Sequence, residues 1–260
     1  SKLRYFEESL LLPVNNMHSI SEGKMMQLLT NDASDNAYQF TEFNKNHLTR
    51  VFPSRQKKLR QHSTNFNPVL PWSLGCQIVS MNQQVCDAFV LVNDGRFRAN
   101  GSCGYVLKPS SMLSMNNNRN VPKTQATWQF KILSGYNLPK TRKKAFAGCV
   151  NPRVRITLYD GGATDQVVYI SETVKKNGLN PIWDEDKGTT FENIKDPDSA
   201  IIMLSVWDFN GDGAEDFIAA GAVPISCMRQ GYRSVPLFDV NHMRCGAHAF
   251  TSLFIHSKAL

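Results

Sequence analysis

The sequence predicts an α/β segment followed by an all-β antiparallel sandwich, and three observations predict it. Before about Pro109, short apolar strands alternate with helix-like stretches, which favours an α/β layout. From Trp128 onward, eight short strands recur with turn signals between them, at the spacing of a sandwich. Between the two patterns lies "SSMLSMNNNRNVPKTQAT", polar and rich in turn formers, which reads as a linker. This organisation places one domain at residues 1–120 and a second at 122–260 of a 260-residue chain. Both sizes suit single domains.

In the first domain, "LLPVNNMHS" reads as a strand ending near Ser19. Ser21 is placed to cap a helix whose buried side carries Met25, Met26, Leu28 and Leu29. "NDASDN" reads as a polar stop, and "FTEFNKNHLTRVF" as a short helix leading into a strand. "CQIVSMN" is an apolar strand, "AFVLVNDGRFRANG" a strand closed by an Asp-Gly turn, and "GYVLKP" another short strand. In the second domain the strands are "TWQFKIL", "RVRITLY", "VVYISETV", "TTFENI", "IIMLSVWD", "FIAAGAVPI", "YRSVPLF" and "AFTSLFIH".

Hydrophobic content of 42% supports a packed core, and the formal net charge is +7. The charge is uneven. Phe43 to Cys86 holds six basic residues and no acid, Val121 to Tyr159 holds eight and no acid, and Asp160 to Asp216 is acid-rich. Such polarity favours an anionic partner at one surface, nucleic acid and anionic lipid alike. No helix-turn-helix, zinc-finger or RNA-binding signature accompanies the charge, which argues against nucleic acid. The six cysteines are scattered without CxxC or His spacing, as expected of reduced thiols in a cytosolic protein. No run of about 18 apolar residues is present to span a bilayer. The first residue is Ser1 rather than Met, which points to sequence upstream.

Arg50 and Phe52 stand two apart on a predicted strand, so their side chains share a face. A guanidinium grips phosphate oxygens through paired donors, and an aromatic ring packs on the apolar face of a sugar ring. Ser19, at the end of the first strand, is placed to donate to the same ligand. His18 adjoins Ser19 and His47 precedes Arg50 by three, but no carboxylate cluster accompanies either histidine. Each reads as a structural or surface residue.

The stretch "TRVFPSRQKKLRQHSTNFNPVLPWSLGCQIVSMNQQ" and the later "DGRFRANGSCGYVLKPSSML" resemble the Y region of the phosphoinositide-specific phospholipases C. Asn65, Phe66, Pro68, Trp72, Gly75, Cys76, Gln77, Asn82, Asn100, Gly101 and Cys103 carry the likeness, and "HSISEGKMMQLL" resembles that region's opening. The second domain resembles the C2 domain that closes these enzymes. The resemblance implies the second half of a (β/α)8 barrel followed by a C2 sandwich. It implies that Ser19 and Arg50 hold an inositol phosphate. Phe52 stands where the family has a tyrosine that stacks on the ring, keeping the flat face and losing the hydroxyl. The family's catalytic histidines, and the residues that bind its active-site calcium, belong to an X half outside this sequence. The implied partners are that X half and a phosphoinositide membrane surface, with a cytoplasmic, peripheral location. The alternative is an inactive phospholipase C-like scaffold that keeps the fold and the charge.

"WDFNGDGAEDF" imitates the start of an EF-hand loop, but Ala219 stands where the bidentate Glu belongs. As a C2 loop, Asp208, Asn210 and Asp216 match positions that cradle calcium, with Asn151 on the partner loop where Asp is usual. Calcium takes about 6–8 oxygens, several from carboxylates, so weak calcium binding or none is expected here. Arg142, Lys143 and Lys144 beside Phe146 form a second route to membranes. Each basic residue near an anionic leaflet contributes about 1 kcal/mol.

Overall fold

A computed structural model describes residues 17–29, 33–54, 64–113, 126–141, 148–161, 167–183, 188–211 and 213–260. Contacts divide the chain into two units, one of Ser1–Val90 with Tyr105–Val121 and one of Leu91–Gly104 with Pro122–Leu260.

In the first unit, strands β1 (Met17–Ser21), β2 (Leu48–Phe52) and β3 (Ile78–Val79) form a parallel sheet in the order β1-β2-β3. Helices α1 (Glu22–Leu29) and α2 (Ala33–Asn46) make the crossover that parallel strands require. Ser21 Oγ accepts the N–H of Lys24 at 3.3 Å, the cap its position predicts. Met25 and Leu28 are buried, and Met26 and Leu29 pack beside them. On the helix side of the sheet, Ile20 and Val51 join Phe40, Phe43, Phe66 and Leu74 in a core. α1 ends at Leu29, just before the polar "NDASDN", and α2 begins at Ala33 within that segment and runs 14 residues. After β2 come α3 (Val69–Ser73) and then β3, which is shorter than "CQIVSMN" suggested.

Two further expectations are corrected. "AFVLVNDGRF" is not a strand and turn but helix α4 (Ala88–Phe97). Asp87 begins it, its Oδ1 accepting the N–H groups of Phe89 and Val90 at 3.1 Å each. "GYVLKP" is irregular rather than a strand, and α5 (Ser110–Leu113) follows it.

The second unit is an antiparallel sandwich. Its strands are β4 (Ala126–Tyr136), β5 (Pro152–Tyr159), β6 (Val167–Ile170), β7 (Thr189–Ile194), β8 (Ile201–Phe209), β9 (Glu215–Pro224), β10 (Gly231–Pro236) and β11 (Ser252–Ala259). One sheet runs β10-β11-β4-β7 and the other β6-β5-β8-β9. Alternation decides which side chains meet between them. Trp128, Phe130 and Ile132 of β4, Val154 and Ile156 of β5, and Ile202 and Leu204 of β8 fill the core with Leu253 and Ile255 of β11.

Strand β8 is buried on both faces, Ile201, Met203 and Ser205 included. The later part of α4 lies against β9, the neighbour of β8 in that sheet. A Cβ at Gly95 would stand 2.6 Å from Cβ of Ala222. Arg96 Nη1 donates to the carbonyl of Asp198 at 2.7 Å, and the Arg98 guanidinium lies 3.6 Å from the Phe238 ring centroid. Asp94 Oδ2 meets His242 Nδ1 at 3.0 Å. These contacts explain the misread turn: the Asn-Asp-Gly run is helical because tertiary partners take its Asp and need its Gly.

Candidate functional site

Parallel pairing sets β1 and β2 so that Ser19 lies beside Arg50 and Ser21 beside Phe52. The burial pattern alternates along both strands. Met17, Ser19, Leu48 and Arg50 are exposed on one face, while Ile20, Thr49 and Val51 are buried on the other. Arg50 Nε donates to Ser80 Oγ at 2.8 Å, and its Cζ lies 5.5 Å from the Phe52 ring centroid. Ser19, Arg50 and Phe52 therefore lie together on one side of the sheet, where the sequence reading puts them on a shared face. Ser80 was not singled out in sequence, although it follows Ile78 by two, just past the end of the strand that borders Arg50.

The rim is held from behind by residues that do not face it. Gln77 Oε1 accepts the N–H of Thr49 at 2.8 Å, and Gln77 Nε2 donates to the carbonyls of Asn44 at 2.9 Å and His47 at 3.0 Å. Thr49 Oγ1 donates to Asn44 Oδ1 at 2.5 Å, and Lys108 Nζ to the Asn44 carbonyl at 2.5 Å. The last turn of α2 leaves carbonyls without helical partners, and these side chains satisfy them. Burial lowers the pKa of Lys108 and pushes the Cys76 thiol up to about 12, so Cys76 is an inert thiol at neutral pH. Gln77, Cys76 and Lys108 all belong to the signature quoted from the sequence, and the structure gives them this positioning task.

His18 and His47 lie on the helix side, away from the rim. His18 meets the Phe43 ring edge-on at 4.8 Å and His47 at 5.8 Å. Among the described residues, buried His18 Nε2 has no hydrogen-bond partner.

At one end of the sandwich, Asp208 is fully buried. Its Oδ1 accepts the N–H of Asn151 at 2.8 Å and its Oδ2 the Thr141 hydroxyl at 3.3 Å. Asn210 Nδ2 donates to Asp216 Oδ2 at 3.2 Å. Nearby, Glu215 pairs with Arg155 at 2.7 Å and Arg153 at 3.4 Å, and those guanidinium groups lie over Trp207 and Phe209. Arg142, Lys143, Lys144 and Phe146 lie outside the described residues, as does Asp212.

Parallel βα units displaying a cation and a hydroxyl on one side, with an antiparallel sandwich of eight strands among the described residues after them, define half of a barrel joined to a C2-type domain. Residues 1–111 match the family described as "Phosphatidylinositol-specific phospholipase C, Y domain", and residues 126–239 match "C2 domain". The chain belongs to the phosphatidylinositol-specific phospholipases C, of which it carries the Y domain followed by the C2 domain.

It is 33% identical over 247 residues to 1-phosphatidylinositol 4,5-bisphosphate phosphodiesterase delta-1 of Homo sapiens, covering 92% of this chain and 31% of that protein. It is 38% identical over 233 residues to Inactive phospholipase C-like protein 2 of Mus musculus, covering 86% of this chain and 20% of that one. The crystal structure of L. pealei PLC21 matches with a TM-score of 0.79 at 28% identity, covering 98% of this chain and 31% of that chain. The chain thus spans about a third or less of the length of these proteins.

Proposed function

We propose that this chain is the substrate-binding and membrane-docking part of a phosphoinositide phospholipase C. The complete protein would be a phosphoric diester hydrolase that cleaves phosphatidylinositol 4,5-bisphosphate-type lipids into diacylglycerol and an inositol phosphate. The observation that carries this reading is the registry of Ser19 with Arg50 on adjacent exposed strand positions, with Phe52 beside them. Arg50 and Ser19 would bind the phosphates of the sugar head group, and the Phe52 ring would cover its apolar face. The share of these residues is positioning. A head group held in line with the reacting diester lowers the entropic part of the barrier.

Bond making and breaking would fall to the X half. There a general base takes the proton of the ring 2-hydroxyl as that oxygen attacks phosphorus. A general acid then protonates the departing diacylglycerol oxygen, and water opens the cyclic phosphate. Calcium in that half would supply neutralisation of the phosphate charge. The sheet supports an X-half partner: parallel sheets are normally covered on both faces, and here Met17, Leu48 and Ile78 are exposed on the rim side.

The division at residues 120–122 is part of this proposal, and so is the membrane role of Arg142, Lys143, Lys144 and Phe146. Among the described residues no helix is long and apolar enough to cross a membrane. Peripheral attachment from the cytoplasm is the arrangement we assign.

A second reading, an inactive lipid-binding scaffold, is favoured by the 38% identity to Inactive phospholipase C-like protein 2 and by Phe52 in place of tyrosine. One assay decides between them. Vesicles containing phosphatidylinositol 4,5-bisphosphate or unphosphorylated phosphatidylinositol are given to the complete protein and to its Arg50→Ala variant. Turnover by the unsubstituted protein, with a loss in the variant about tenfold or more greater on the bisphosphate, is expected, since a charge-assisted pair contributes about 1.5–3 kcal/mol. Equal losses on both lipids remove the role given to Arg50. No turnover by the unsubstituted protein establishes the scaffold.

A further inference from the structure

The segment before β5, the end of β8 and the turn at Lys176 meet at one end of the sandwich through hydrogen bonds centred on Asn151, the residue before β5. Its backbone N–H donates to buried Asp208, and its carbonyl accepts the N–H of Phe209 at 3.0 Å. Its side chain spans two further partners. Nδ2 donates to the Phe209 carbonyl at 3.0 Å, and Oδ1 accepts the N–H of Lys176 at 2.9 Å. Lys176 holds a left-handed backbone with φ of 53°, uncommon for a residue with a Cβ, and that conformation directs its N–H into the bond.

The partners fix the chemistry of position 151. One end of the side chain faces a carbonyl and must donate, while the other faces an N–H and must accept. An aspartate there would set a carboxylate oxygen against the Phe209 carbonyl, a repulsive pair unless a cation stood between them. The neighbouring acids are likewise answered by donors of the protein. Asp208 receives an N–H and a hydroxyl, Asp216 receives the Asn210 amide, and Glu215 receives two guanidinium groups. Among the described residues no cluster of three or more His, Cys, Asp or Glu is arranged to hold a metal ion. This donor set does not fit calcium, which asks for about 6–8 oxygens.

We infer that Asn151 holds the loop end of the sandwich assembled in place of a divalent cation, so that this C2 domain docks on anionic surfaces without calcium. The loop statement stands on the hydrogen-bond geometry alone. The docking statement rests also on the membrane reading given above, and two measurements separate them.

The first is thermal unfolding of the full 260-residue chain, in EGTA and in about 1 mM calcium chloride. The unsubstituted chain is expected to unfold at the same temperature in both. Asn151→Asp is expected to melt lower in EGTA and to recover by about 2–4 °C or more in calcium. Should Asn151→Asp fail to fold in EGTA, refolding on calcium addition, read by circular dichroism, is the same result. A calcium-raised midpoint in the unsubstituted chain overturns the inference, and so does an Asn151→Asp variant that is indifferent to calcium. The second measurement is sedimentation with phosphatidylserine vesicles. Equal binding in EGTA and in calcium is expected, and binding only in calcium overturns the inference. No binding in either condition, with the unfolding results as expected, overturns the membrane reading and leaves the loop statement standing.

Discussion

Arg50 shows how much of a single residue's placement is decided by residues that never touch its ligand. Its own contacts are Ser80 and the Phe52 ring, yet the strand that carries it is fixed by Gln77 and Thr49 against the end of α2. The Arg-x-Phe spacing was legible because strand geometry alone puts alternate residues on one face. The anchoring by Gln77 and Lys108 was not, because it joins residues 30 or more positions apart through backbone carbonyls. His18 illustrates the same limit. It adjoins Ser19 in sequence and faces the opposite side of the sheet. Burial, followed by the nearby His47, lowers its pKa below the usual 6.5. The folded chain therefore binds that proton more weakly than the unfolded chain does. Stability is present above about pH 6.5 and is lost as pH falls from there through the lowered folded value. Urea unfolding between pH 7.5 and 5 is expected to show this loss, and His18→Phe, which keeps an edge-on ring beside Phe43, to reduce it. An unchanged pH dependence in the variant would refute the assignment to His18.

Among the elements, α4 departs furthest from the sequence reading. "NDG" is a strong turn signal in isolation, and the apolar "AFVLV" before it fits a strand as well as one turn of a helix. Tertiary contact settles the choice: Gly95 admits the helix against Ala222, and Asp94 and Arg96 find partners at His242 and Asp198. Gly95→Ala tests this. Alanine is the better helix former by about 1 kcal/mol. Its Cβ would also stand 2.8 Å from the Ala222 carbonyl oxygen, and overpacking of this kind costs about 1–3 kcal/mol. The net expectation is a fall in the thermal midpoint of about 2–4 °C. A rise would mean that the helix does not press on the sheet. The sandwich strands, by contrast, were all legible, because each is a short alternating or continuously apolar run bounded by turn signals.

At the scale of the whole molecule, 29 basic and 22 acidic residues give a long-range attraction to anionic surfaces. Screening shortens its reach from about 10 Å at 0.1 M salt to about 3 Å at 1 M. Binding to phosphatidylserine vesicles is therefore expected to weaken steadily as sodium chloride is raised. Charge reversal of Arg142, Lys143 and Lys144 to Glu is expected to weaken it at least tenfold at 0.1 M salt, since each contributes about 1 kcal/mol. Sedimentation unaffected by both changes would remove the electrostatic account of docking.

The amino-acid order alone determined the fold class, the eight sandwich strands, the family and the shared face of Arg50 and Phe52. All of these follow from local periodicity or from dense short motifs. Tertiary structure decided that α4 is a helix and that His18 and His47 turn from the rim. It also decided that Asn151 bridges segments whose members lie 25 and 58 positions away. The reason is physical: a hydrogen-bond partner or a close backbone approach is a property of position in space, and a chain read along its length carries no measure of that distance.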